Sequence, residues 1–118
     1  MDLTIRLNIL KEAGQIDEGI YKDIINIINM FKEKHNISLT EENASMLITH
    51  LAISFKRIKD GEIVNSIEEM IYEEVRCNEN YDKSEEIFKD IEKVIESSIP
   101  EEEKVFIMMH LCALLNNK

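Results

Sequence analysis

Only three glycines and one proline interrupt this chain of 118 residues, and that scarcity constrains the fold more than any motif does. Glycine and proline are the residues a helix interior tolerates least, and the turns of a β-protein need many of both. The rest is rich in Ile, Leu, Met, Glu and Lys, so the expected fold class is all-α. The length suits one domain whose folding buries about two-thirds of the unfolded surface. A hydrophobic share of 44% beside 32% charged residues excludes a disordered chain.

Capping signals divide the sequence into helices. A short one, about Thr4 to Ala13, stops at Gly14. Asp17 is placed to cap the next, where Ile20, Ile24, Ile27, Ile28 and Phe31 recur at helical spacing and which ends near His35-Asn36. Thr40 caps a third, with Glu41 and Glu42 at the positive end of its dipole, Lys56, Arg57 and Lys59 near the negative end, and Gly61 as its stop. Ser66 and Glu69 are spaced as a capping box for a short helix around Ile67 to Arg76. After the polar break CNENYDKS, an acidic helix runs from about Ser84 to Ser97. Pro100 opens the last helix, where a missing N–H costs nothing, and Glu101, Glu102 and Glu103 follow it. That helix is apolar nearly all round and is expected to be the most buried.

The net charge is −10, and all of the excess lies in residues 66–103, which hold 14 acidic residues against 4 basic ones. Such a chain would be repelled by phosphate backbones, so no direct nucleic-acid partner is expected. Cys77 and Cys112 have neither metal-type nor redox-type spacing, and Cys112 reads as a small buried hydrophobe. The start, MDLTIRLNIL, is too short and mixed for a signal peptide, and no apolar run is long enough to span a bilayer. The expected location is the cytoplasm, with no membrane partner.

Two histidines stand out against this background. MLITHLA, residues 46–52, and IMMHLCA, residues 107–113, each set His-Leu inside an apolar helix after an acidic start. Residues seven apart share a helix face. Asn43, His50 and Arg57 therefore form one stripe, with Ser54 beside it, bordering the apolar face of Leu47, Leu51, Phe55 and Ile58. Glu103, His110 and Asn117 form the equivalent stripe on the last helix. A neutral imidazole at a core edge is a good nucleophile toward phosphorus, and a nearby guanidinium would stabilise the phosphoryl charge it gains. The competing explanation is structural: core-edge histidines bonded to carbonyls, with Arg57 neutralising a helix end.

Other chemistries fit less well. The histidines and Glu103 lack any HxxxH or ExxH pairing that would organise a metal, so no metal site or cofactor is assigned. There is no Gly-rich phosphate loop, and Ser54 near His50 has no third triad member, so no catalytic residue is assigned and a non-enzyme is expected. His35, at a helix C-terminus, suits the dipole there.

The stretch His50-Leu-Ala-Ile-Ser-Phe-Lys-Arg57-Ile-Lys-Asp-Gly61, followed by Asn65, resembles the first histidine motif of the PTS regulation domain (PRD) family. Pro100-Glu-Glu-Glu103, with His110 seven residues beyond Glu103, resembles the second. The resemblance covers about residues 15–118, leaving 1–14 as a short N-terminal helix or extension. It departs from the family where Ser66, instead of proline, follows Asn65. The expected organisation is a solitary domain, whereas the family's members usually join such domains to an RNA- or DNA-binding module, so the family's antitermination or promoter-binding output is not carried over.

The resemblance implies a compact five-helix bundle that forms homodimers. It implies that His50 and His110 are phosphoacceptors, that Arg57 and Glu103 are their phosphate or partner contacts, and that Asn65 is structural. Donors would be the histidine phosphocarrier protein or a sugar-specific EIIB component of the bacterial phosphotransferase system, and a larger PRD-containing regulator is a further candidate partner. The expected function is a phosphorylation-responsive regulatory module acting on transcription through partners or dimer rearrangement. Two alternatives stand beside it: a PRD-like adapter that is never phosphorylated and acts by protein–protein interaction, and a small helical metal-binding protein.

Overall fold

A computed structural model describes residues 3–62 and 69–116, and all of the regular structure among them is helical. The helices are α1 (Leu3–Glu12), α2 (Glu18–His35), α3 (Glu41–Asp60), α4 (Glu69–Arg76), α5 (Tyr81–Ile95) and α6 (Glu101–Asn116). Asn65, Ser66, Ile67 and Asn117 lie outside the described residues, so the motif asparagine, the Ser66–Glu69 capping box and the last member of the α6 stripe do too.

The caps explain most of the boundaries. The Asp17 carboxylate accepts the Ile20 backbone N–H at 2.8 Å, satisfying one of the unpaired donors at the start of α2. Thr40 accepts the Asn43 N–H at 3.2 Å while the Asn43 side chain accepts the Thr40 N–H at 2.8 Å, a reciprocal capping box. At the other end of α3, Gly61 takes the left-handed conformation at φ 74°, which a residue with a Cβ adopts only under strain. Asn36 closes α2 at φ 54°, a role asparagine fills more readily than other non-glycine residues. The acidic helix begins at Tyr81, three residues before the expected Ser84. The Asn78 side chain accepts the Asn80 N–H at 2.8 Å and its carbonyl accepts the Tyr81 N–H at 3.0 Å, which turns the chain early.

Four helices form a ring in which α2 packs on α3 and α5, and α6 packs on the same two from the opposite side. Ile24, Ile27 and Phe31 of α2 meet Ile48 and Leu51 of α3, Ile87 and Ile91 of α5, and Ile107, Met108 and Leu111 of α6 in one core. Helix α4 lies beside α6, and α1 rests on α2 and α3.

Among the described residues six helices stand where a five-helix bundle was expected. The difference is α1, which is part of the packing: Leu3 and Leu7 are buried in the shared core, and Arg6 pairs with Glu41 and donates to the Thr49 hydroxyl at 3.1 Å. Its apolar residues Leu3, Ile5, Leu7 and Ile9 alternate, so half of them face outward and the helical stripe that would have marked a core helix is blurred. Helix α6 is central, as its composition implied, but Met109 and Ala113 reach the surface. No helix among the described residues is long and apolar enough to cross a membrane.

Candidate functional site: a paired-histidine seam between α3 and α6

Helices α3 and α6 lie side by side and antiparallel. His50 meets Phe106 and His110, whereas Ser54 and Arg57, further along α3, meet Glu103, earlier on α6. The His50 ring enters a gap between two rings one turn apart on α6. Its centroid is 5.3 Å from that of Phe106 and 4.8 Å from that of His110, tilted to both. The two histidines singled out in the sequence thus face each other across the seam, and both are half-buried.

The electrostatics keep both rings neutral. Burial holds the His50 imidazole below its usual range, the nearby His110 and Arg57 add to this, and Glu103 opposes it. Burial alone pushes His110 down. The His50 Nε2 is buried without a hydrogen-bond partner. A lone pair left bare costs less than a bare N–H, so the neutral ring favours its proton on Nδ1.

One to two turns along the seam sits a buried ionic cluster. The Glu103 side chain is 3% exposed and accepts from the Ser54 hydroxyl, from Arg57 Nε and from Arg57 Nη2, each at 2.8 Å. Burial pushes the Glu103 carboxyl up, but the bonds from Arg57 and Ser54 outweigh it and hold the group below the usual carboxylate range. Its carboxylate in turn raises Arg57. Such a forked pair fixes the register of α3 against α6 more surely than apolar contacts can.

The structure therefore brings His50 to His110 and Arg57 to Glu103 as two adjacent layers. Arg57 is committed to the carboxylate through two of its nitrogens instead of pointing at an imidazole. Asn43 leaves the predicted stripe altogether: it caps α3 and donates to the Ser38 carbonyl at 3.0 Å. Phe106 was not singled out, although it precedes His110 by four residues and so shares its helix face. The outer rim of the seam is apolar, with Met46, Ile53 and Met109 exposed.

His35 lies elsewhere, with its side chain almost fully buried. Lys83 donates to its Nδ1 at 3.0 Å, so the Nε2–H donates to Asp90 at 2.9 Å and the ring ties the end of α2 to α5. Cys77 is exposed and Cys112 buried, both as free thiols. Among the described residues no three His, Cys, Asp or Glu side chains converge as metal ligands, which leaves the seam as a two-imidazole site beside a carboxylate–guanidinium pair.

An all-helical module with two motif histidines opposed across one helix pair is the class that fold and site define. The PRD domain family model matches residues 25–114, and the chain belongs to that family. It is similar to the "Uncharacterized protein YhfY" of Escherichia coli (strain K12), with 30% identity over 70 residues, 59% of this chain. The match spans 58% of that relative's length. No solved structure matches.

Proposed function

We propose that the protein is a non-enzymatic, phosphorylation-responsive regulatory module of the bacterial sugar phosphotransferase system, acting in the cytoplasm. His50 or His110 accepts a phosphoryl group from the histidine phosphocarrier protein or an EIIB component. The observation that carries this reading is the meeting of the two motif imidazoles, 4.8 Å apart, in a half-open seam of a PRD-family chain. Neutral rings keep one nitrogen unprotonated at physiological pH; in His50, whose Nε2 is buried, reaction at Nδ1 requires the proton to move to Nε2.

The added charge of about −1.5 to −2 would enter a seam where Arg57 is already paired with Glu103. Recruiting Arg57 to the phosphoryl group strands a buried carboxylate, and leaving it with Glu103 leaves the phosphoryl charge less compensated. Either way the α3–α6 contact changes in energy. The apolar rim of Met46, Ile53 and Met109 gives that change a surface through which a homodimer, or a larger PRD-containing regulator, can sense it. Transcription is then regulated through the partner.

One observation favours a second reading. Because Arg57 is tied up by Glu103, the seam also fits an adapter that keeps the fold, is never phosphorylated and binds a PRD regulator constitutively.

The test is incubation with phosphoenolpyruvate and the general phosphotransferase components. The proposal expects acid-labile phosphate on the wild-type chain and none on the His50→Ala/His110→Ala double variant. Equal labelling of both proteins would overturn it, and an unlabelled wild type that still captures a PRD regulator would establish the adapter.

A further inference from the structure

The two imidazoles are too close to behave as independent acceptors. We infer that His50 and His110 form one acceptor that holds a single phosphoryl group, with the unphosphorylated ring serving as its counter-ion. This rests on the phosphoacceptor reading above and specifies how the two residues divide the work.

The geometry carries the argument. The ring centroids are 4.8 Å apart, and Phe106 closes the other side of His50 at 5.3 Å. A phosphoryl group on either ring therefore lies against the other ring, with few alternative positions for its oxygens. A second phosphoryl group would place two dianions in the same half-buried seam, where low polarity strengthens their repulsion. The other charges acting on His50 are Arg57 and Glu103. They neutralise each other, so Arg57 is not free to offset a second dianion.

A single phosphoryl group meets a different environment. Both rings are neutral in the unmodified protein because protonating either is opposed by burial, and for His50 by its neighbour's charge as well. A dianion on one ring reverses that balance for the other. The free imidazole takes a proton from solvent and donates it to a phosphoryl oxygen as a charge-assisted hydrogen bond. The positive charge comes from the site itself, so Arg57 need not leave Glu103.

Phosphoramidate, a small donor, tests this without any partner protein. A histidine ring nitrogen attacks phosphorus, the phosphorus–nitrogen bond of the donor breaks, and the amine leaves as ammonia. Intact-mass counting is read against the His50→Gln/His110→Gln variant, which sets the background from His35. Wild type should plateau at one phosphoryl group above background, with a second arriving at least about tenfold more slowly. His50→Gln and His110→Gln should each also take one, and each phosphorylated single variant should hydrolyse faster than wild type because its counter-ion is gone.

Two phosphoryl groups on wild type would overturn the inference while leaving the phosphoacceptor reading intact. So would labelling of one single variant but not the other. No labelling above background on wild type would overturn both. Fragmentation of labelled wild type separates phosphate on His35 from phosphate on His50 or His110 without any substitution, so a variant that folds poorly does not decide the matter.

Discussion

At His50, burial and the neighbouring imidazole and guanidinium act in one direction, and Glu103 alone acts in the other. The pH dependence of stability follows. The folded rings of His50 and His110 bind protons less readily than the unfolded chain, whose reference value is 6.5. Stability is therefore full above that value and declines as pH falls below it. Glu103, depressed from 4.5, contributes stability that is present above 4.5 and is lost as pH falls through its folded value. Urea unfolding between pH 7.5 and 5 should show the first decline, and the His50→Gln/His110→Gln variant should flatten it. Arg57→Ala leaves the buried Glu103 carboxylate without its counter-charge, with the Ser54 hydroxyl still donating to it. That should cost about 2–3 kcal/mol at pH 7, less than a fully buried pair because solvent reaches the guanidinium. The penalty should shrink in acid as the carboxyl protonates. Both histidines, Arg57 and Glu103 were legible in the sequence as residue types on particular faces. Their partnering was not: helix period says which side chains share a face, and it does not say which face of another helix they meet.

At the scale of the element, boundaries were legible wherever one local interaction decides them. Asp17, Thr40, Asn36 and Gly61 each satisfy backbone groups within a few residues of themselves, so the sequence window contains the whole cause. Thr40→Ala should cost about 1 kcal/mol in chemical denaturation, since the Asn43 N–H at the start of α3 loses its side-chain acceptor. Helix α1 is the contrary case. Its place in the core depends on α2 and α3, far along the chain, and its alternating apolar residues give no local sign of it. Leu7 is fully buried, so Leu7→Ala should cost about 2–5 kcal/mol, whereas a detachable extension would lose almost nothing. Tyr81 opens α5 earlier than expected for a similar reason: the Asn78 side chain makes the turn, and asparagine alone does not announce which backbone group it will bind.

For the whole molecule, the paucity of glycine and proline made the helical class legible, and the spacing of His-x6-Arg and Glu-x6-His made the family legible. What no linear pattern contained is the antiparallel pairing of α3 with α6, set by contacts such as Ser54 to Glu103 across distant parts of the chain. That pairing turns two separate motifs into one seam. It also sets the expectation for assembly: light scattering should report a different apparent mass once the seam is phosphorylated, and no difference when the double histidine variant is treated in the same way. The most direct measurement is the position of the phosphate itself, read by fragmentation of the protein under alkaline conditions that preserve phosphoramidates, after transfer from the phosphocarrier. The account predicts phosphate on residue 50 or residue 110, at the interface of α3 and α6. Phosphate confined to His35, or to no histidine with any phosphotransferase donor, would contradict it.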